Sequence, residues 1–331
     1  MDKPLISVLL LSYNNQHLIY ECLDSVFKQD YANIELIIND DASENFDVNM
    51  IERYITQNKP INITNVMINQ SEINVGTVKS LNNSVKKSSG KYYMPLAADD
   101  ALHSYAVISM FVTLYEATPI QEFVITGKTL MFDENMDEVL YSCPSEKDTK
   151  LFSTHNNQQL FDIYAQRHFL ATGGNLIPRS YWEKCGGYDE EYKLLEDMPF
   201  YAKLLARGVP LHYIDTPTLN HRSGGISHGN KRYTPNKSIE YMTDVILAFE
   251  NEFIQNSHML RFRTLTWIKS RVSMTKHYMA YVMQKQNDVS LMRYTLSNPK
   301  LIFTLLIALI VNPIRTYNYM MRVVTNKRTS S

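Results

Sequence analysis

The spacing of apolar positions changes in a regular way along the first hundred residues. Residues 5–11 and 34–38 are nearly unbroken apolar runs of strand length. A strand with one wet face alternates apolar and polar positions, so an unbroken run predicts a strand covered on both faces, as in a parallel sheet. Between the two runs, Leu18, Cys22 and Val26 recur every four residues. That is the spacing of a helix face, with Asn14 or Asn15 placed to cap it. The unit then repeats. Phe46 to Gln57 predicts a helix and Ile61 to Ile68 a strand. Thr77 to Lys87 predicts a helix stopped by Gly90, and 91–97 predicts a strand ending at Asp99-Asp100. Alternating strand and helix implies an α/β sheet, whose ligands sit beyond the carboxyl ends of its strands.

Beyond Ser104 the pattern gives a helix, a strand over Phe123 to Phe132, and a loop or hairpin at 133–138. Residues 168–176 predict a short strand bent at Gly173-Gly174, and a short helix ends at Cys185. Glu196 to Arg207 predicts a helix closed by Gly208, followed by a strand from Leu211 to Asn220 interrupted at Pro217. After Asn236 the pattern is mainly helical, with a break at Pro299 and an apolar stretch at 301–311.

At 331 residues and 44% hydrophobic, the chain has room for two domains, or for one large α/β domain with an appendage. The composition excludes a disordered or collagen-like chain, and no repeat of fixed period points to a solenoid. Cys22, Cys143 and Cys185 fit neither a metal finger nor a disulfide framework. The first apolar run has no small-residue cleavage site after it and predicts a buried strand rather than a signal peptide. A reducing cytoplasm is the expected setting.

Charge changes the picture. The net charge of −1 conceals a split. From Asn251 onward there are 12 Lys/Arg and 2 Asp/Glu, whereas the preceding residues hold 21 and 32. The C-terminal part therefore suits a polyanion, either a membrane face or a nucleic acid.

Polar groups collect at the predicted strand ends: Ser12-Tyr13-Asn14, Asp40-Asp41 and Asp99-Asp100. Adjacent carboxylates repel unless a cation lies near, and hard oxygen ligands suit Mg²⁺ or Mn²⁺ bridging to phosphate. The competing readings are local: helix capping for Asp99-Asp100 and Glu196-Asp197, an Asx-turn for Asp40-Asp41, core packing for Tyr13 and a structural role for His221. Each feature is weak alone; together, on the ends of one sheet, they point to a site.

These residues also carry a resemblance. The order strand–Ser-Tyr-Asn, Ser-Val-x-x-Gln, Glu-Leu-Ile-Ile-x-Asp-Asp-x-Ser, Asn-x-Gly, Ser-Gly-Lys-Tyr and Asp-Asp resembles the family-2 glycosyltransferases of GT-A fold. The later stretch from Gly173 through Gly208 resembles their acceptor-side region. The likeness covers about residues 4 to 228. It implies a Rossmann-like mixed sheet flanked by helices over 1–230, and a basic helical extension over 231–331.

The resemblance further implies inverting transfer from a nucleoside-diphosphate sugar, with UDP expected, to a hydroxyl of a glycan or lipid-linked oligosaccharide. The setting would be a bacterial surface-polysaccharide pathway such as lipopolysaccharide or capsule synthesis. By motif position Tyr13, flanked by Ser12 and Asn14, stacks on the base and Asp41 reads its edge. Asp100 ligates Mn²⁺ or Mg²⁺ with Asp99 beside it, His221 touches the metal or diphosphate, and Asp197 is the general base. The metal, Lys79 or His221-Arg222 would hold the diphosphate. Two positions depart from the pattern: Ala97 replaces a common Asp, and Leu81 replaces a common Arg.

The chemistry suits these types, because a carboxylate takes the acceptor's proton and a divalent metal stabilises the leaving diphosphate. The rival readings are a nucleotidyltransferase, which would want a Gly-rich basic first loop, and a non-catalytic nucleotide-sugar-binding or scaffold protein. At the C-terminus, 301–311 is too short to span a bilayer, which takes about 20 residues. Lys269, Arg271, Lys276, Lys285 and Arg293 interleave with Trp267, Tyr278 and Tyr281. That pattern suits helices lying on an anionic inner leaflet. The alternative is a buried helix closing the catalytic unit. No nucleic-acid motif accompanies the charge.

Overall fold

A computed structural model describes residues 3–118, 123–224, 239–283 and 291–325. The expected boundary near residue 230, and Lys285 in the basic stretch, lie outside them. Strands β1 (Ile6–Ser12), β2 (Ile34–Asp40), β3 (Ile63–Gln70) and β4 (Tyr92–Ala97) run parallel in the order β3-β2-β1-β4. After β5 (Ala101–Leu102), β6 (Val124–Phe132) and β7 (Val139–Cys143) comes β8 (Ile177–Pro178), which adds antiparallel to β4. With β9 (Leu211–Arg222) a second, mixed sheet forms in the order β5-β9-β6-β7. The break expected at Pro217 is a slip in the register of β6 against β9, inside one continuous strand.

The helices are α1 (Ile19–Phe27), α2 (Val48–Asn58), α3 (Thr77–Lys87), α4 (Val107–Ala117), the single turns α5 (Glu146–Thr149) and α6 (Leu151–Thr154), α7 (Asn157–Tyr164), α8 (Arg179–Cys185), α9 (Asp197–Ala206) and α10 (Ile239–Ala248). A π-helical turn over Phe249–Ile254 continues α10. Then come α11 (Phe262–Met283), α12 (Leu291–Leu296), α13 (Pro299–Val311) and α14 (Pro313–Thr325).

The unbroken apolar runs are explained by packing on both faces. Ile6, Val8 and Leu10 meet Ile19, Cys22, Val26, Ile51 and Phe111 from α1, α2 and α4. Leu9 and Ile37 face the other way, onto Val78 and Leu81 of α3, Tyr164 of α7 and Tyr201 of α9. This second core continues into the C-terminal helices through Phe249, Phe253, Trp267, Ile268, Leu301 and Ala308. The three cysteines are free.

Three local expectations change. Gly90 does not stop α3, which ends at Ser88. Its N–H instead donates to Ser7 Oγ and Glu35 Oε1, both at 2.9 Å, and a Cβ would collide with Ser7. The buried Glu35 thus pins the start of β4 to β1. Neither Asn14 nor Asn15 caps α1 through its side chain. Asn15 Oδ1 accepts from Tyr13 N–H and Ser12 Oγ, while Asn14 at φ 55° accepts from Glu44 N–H. Both therefore shape the loop after β1. Residues 168–176 form no strand. Their polar backbone is tied individually, with Gly174 N–H on Pro95 O and Asn175 Oδ1 on Gly127 N–H.

Candidate active site

Three strand ends open on one edge of the parallel sheet. Ser12 pairs with Asp40 in register, and Asp41 N–H donates to Ser12 O, so the loops after β1 and β2 are stitched together. Asp40 accepts from Ser43 N–H and Ser43 Oγ, three residues on rather than the two of the expected Asx-turn. Ser43 Oγ in turn accepts from Asn14 N–H at 2.8 Å. Tyr13 is left 41% exposed at the rim. Asp41 is buried, and its two oxygens accept from Val75 N–H (2.9 Å) and Gly76 N–H (2.8 Å). A carboxylate has about four lone-pair sites, so acceptor capacity remains.

Gly76 sits at φ +89°, and any Cβ there would lie inside contact distance of Lys193 Cγ and Lys193 O. Only glycine meets both the backbone angle and the space. This close approach joins the loop before α3 to the segment before α9.

On the next strand end Asp100 is buried at 4% exposure. Its Oδ1 accepts from Arg222 N–H at 3.1 Å, and its Oδ2 lies 3.0 Å from His221 Nδ1. Arg222 also donates from Nε to Asp99 O, from Nη1 to Glu134 O and from Nη2 to Glu21 of α1. The end of β9 is thereby bolted to the turn after β4. Across the cleft, Asp197 is the first residue of α9 and Glu196 precedes it. Glu196 Oε1 accepts from the buried Thr172 hydroxyl at 3.1 Å. Asp197 Oδ1 accepts from Met198 N–H at 2.6 Å, a contact to the next residue rather than the reach to the second or third amide that defines a cap.

The electrostatics tie these groups into one cluster. Burial, then the charge of Asp100, raises Asp99 to about 6, against the pull of His221 and Arg222. Burial and the charge of Asp197 push the Glu196 carboxyl well above the usual range, and burial raises Asp197 less. Burial opposes charge on His221, but Asp100, Asp99 and Asp197 outweigh it and lift the imidazole to about 9. Asp99, Glu196 and Asp197 are thus raised chiefly by burial, and each lies within electrostatic reach of His221, which pulls it back down.

A divalent cation fits this donor set. Asp100 and His221 are adjacent, Asp99 is next to them, and Mg²⁺-type sites commonly take one or two carboxylates and complete their shell with phosphate. Among the described residues no three side chains converge as a ready-made protein cage.

Of the residues singled out in the sequence, Asp99, Asp100, His221 and Asp197 come together in this cluster, while Ser12, Tyr13, Asn14 and Asp41 form the neighbouring rim. Lys79 stands apart, exposed on α3. Lys193 carried no sequence signal. It sits within electrostatic reach of Asp41 and Tyr13 while bonded to Glu240. Glu21 and Thr172 were equally silent, because each acts through a contact far away in the chain.

Residues 7–162 match the model of glycosyl transferase family 2. WcaA of Escherichia coli, named for glycosyl transfer in colanic acid biosynthesis, is 31% identical over 236 residues, 70% of this chain and 76% of WcaA. A glycosyltransferase of Rickettsia felis is 24% identical over 66% of this chain, but the match spans only 34% of that protein. The chain is similar in structure to S. aureus TarS 1–349 in complex with UDP-GlcNAc, with TM-score 0.52, 18% identity, and coverage of 94% of this chain and 82% of that one. It is also similar to the mannosyltransferase PcManGT from Pyrobaculum calidifontis in complex with GDP-Man and Mn²⁺. There the TM-score is 0.55 at 14% identity, covering 100% of this chain and 89% of that one. Both likenesses place the fold among GT-A glycosyltransferases.

Proposed function

Because the chain belongs to glycosyl transferase family 2, we propose that it moves a sugar, with inversion, from a nucleoside-diphosphate sugar to a hydroxyl of a growing, lipid-linked glycan in polysaccharide synthesis. The observation that carries this reading is Asp100 at 3.0 Å from His221 at the strand ends, with Asp99, Glu196 and Asp197 within electrostatic reach of the imidazole. Tyr13 offers an exposed ring to the base, with Ser12 and Asn14 shaping its loop, and the remaining lone pairs of Asp41 accept a base N–H. An acceptor-only carboxylate suits the N–H of uracil and equally the N–H groups of guanine; TarS, of the same fold, holds UDP-GlcNAc and PcManGT holds GDP-Man.

Asp100 and His221 would hold the cation, with Asp99 between them and the sugar or ribose. When bound, a divalent ion supplies Lewis-acid stabilisation to the departing diphosphate. Asp197, ionised, takes the proton of the attacking hydroxyl from the acceptor side. Glu196, the more strongly raised of the pair, keeps its proton and so leaves Asp197 as the carboxylate. Lys79 would serve the diphosphate only if the donor extends along α3.

The C-terminal helices support a peripheral site on the anionic inner leaflet. Phe303, Leu306 and Ile310 are exposed at three- and four-residue spacing along α13, and Ile314, Tyr317 and Met321 along α14, in the part of the chain with excess positive charge. Among the described residues no helix is long and apolar enough to cross a membrane. Such a face lies in the interface rather than through it.

The test is incubation with UDP- and GDP-sugars and Mn²⁺, together with calorimetry of UDP and GDP binding. Slow release of nucleoside diphosphate is expected, and Asp100→Ala should abolish the Mn²⁺-dependent part of nucleotide binding while the protein stays folded. Pyrophosphate release would indicate a nucleotidyltransferase. Tight binding without turnover on any acceptor would indicate a scaffold, and unchanged Mn²⁺-dependent binding in the variant would remove Asp100 from the metal site.

A further inference from the structure

We propose that Asp244, on helix α10, is a positioning residue that sets the segment carrying Glu196 and Asp197, so that the C-terminal extension builds part of the active site. Asp244 is 3% exposed. Its Oδ2 accepts from three consecutive backbone amides: Lys193 N–H at 3.0 Å, Leu194 N–H at 2.6 Å and Leu195 N–H at 3.1 Å. Successive amides turned onto one oxygen form a small anion-binding concavity, here filled by the protein's own carboxylate. Two residues beyond Leu195 lies Asp197. An apolar residue at 244 would leave three consecutive backbone donors without this acceptor, so the segment would have to move.

The same segment is held on its other sides. Lys193 O accepts from Val78 N–H at 3.2 Å, and Lys193 packs where Gly76 leaves no room for a side chain. Lys193 Nζ pairs with Glu240, one turn before Asp244, at 2.9 Å. Tyr192 donates its hydroxyl to the buried Glu252 at 3.0 Å. The chain from 192 to 195 is therefore clamped between the loop beside Asp41 and the helix containing Asp244. Tyr241, on the same helix, has its phenol raised by burial and then by Asp197, so it lies within electrostatic reach of that carboxylate. Misplacing a reacting group by about 1 Å can cost on the order of a hundredfold in rate, so a clamp of this kind acts on turnover.

The inference rests on the reading of Asp197 as the base, and the experiment separates the two. Asp244→Asn keeps the shape and a carbonyl acceptor but removes the charge; Asp244→Ala removes the acceptor. Both are compared with Asp197→Asn in the full chain, using the UDP- or GDP-sugar that turns over with Mn²⁺. Three readouts are taken: kcat and donor KM, calorimetric binding of the matching nucleotide, and hydrogen exchange of the peptide covering 192–197. Asp244→Asn should speed exchange in that peptide and lower kcat about tenfold. Donor KM and nucleotide affinity should stay within about twofold, and Asp244→Ala should lower kcat further. Exchange that stays at the parent rate overturns the proposal. So does faster exchange with unchanged kcat, or an equal loss of kcat and nucleotide binding, which would mark a general fold anchor. If Asp197→Asn keeps full turnover while the Asp244 variants behave as expected, the positioning role stands and the base assignment falls.

Discussion

Replacing Asp197 by Asn exchanges one carboxylate oxygen for an amide group at the first residue of α9. The hydrogen bond from Met198 N–H can persist, since the amide oxygen also accepts. It changes from charge-assisted to neutral, roughly halving its strength, a loss on the order of 1 kcal/mol. Against this, the substitution removes a half-buried negative charge beside Glu196, whose own carboxyl should then fall part of the way back, burial remaining its larger cause. The two effects oppose each other, so the unfolding midpoint should move by no more than about 4 °C. The kinetic effect is of another size. General-base catalysis is worth on the order of 10² to 10⁴ in rate, or about 2.7 to 5.4 kcal/mol of barrier.

The assay is single-turnover transfer, with nucleotide affinity measured in parallel. In the parent, burial raises Asp197, so the acid limb of kcat should lie above the ordinary carboxylate value of about 3.9. Activity is lost as pH falls through that limb, because the base must be ionised, and the Asn variant should lack the limb. A variant that keeps more than about a tenth of the parent kcat, with unchanged nucleotide affinity, would refute the base role.

Two further outcomes are expected. Replacing Phe303, Ile310 and Ile314 together by Ser removes three side chains exposed by 65%, 81% and 74%. If that face enters the leaflet, each loses about 1.5–3 kcal/mol of burial, so affinity for phosphatidylglycerol vesicles should fall at least about a hundredfold. Co-sedimentation that is equal for parent and variant, or that ignores salt, would exclude an interfacial basic surface. Burial, with Arg271 and Arg315 nearby, lowers His168 to about 3, so the folded protein keeps it neutral where the unfolded chain protonates it. The unfolding midpoint should therefore drop as pH falls below about 6.5, and His168→Phe should flatten that drop; parallel curves for the two proteins would rule it out.

Much of the sheet was legible because its strands are covered on both faces, which writes burial directly into the apolar runs of β1 and β2. Helix α3 runs over the expected residues because its apolar stripe is bounded by Gly76 and by Ser88. The apolar stretch at 168–176 misled, since burial alone does not distinguish a strand from a loop whose backbone is tied residue by residue to Pro95 and Gly127. The carboxyl pairs could be seen as candidates because pairs at strand ends are unusual. Thr172 and Asp244 could not, because their partners are backbone groups or side chains tens of residues away. A charged residue within the apolar run Met-Thr-Asp-Val-Ile-Leu was the one available hint for Asp244.

The π-helical turn at Phe249–Ile254 makes chain length matter as much as residue identity. Its wider ring holds one residue more than an α-helix would, and each residue of an α-helix is worth about 100° of rotation. Phe249 and Phe253, both inside the turn, are fixed in the core. Deleting one residue there would remove the residue that the wide turn absorbs, so regular helix could run through with Asp244 still facing the amides of 193–195. Deleting one residue from the regular part of α10 after Asp244 would instead rotate Asp244 away by roughly that angle, although no residue of the site had been altered. The wide turn is thus the place in this stretch where a loss of one residue is tolerable, and the regular helix beside it is the place where it is not.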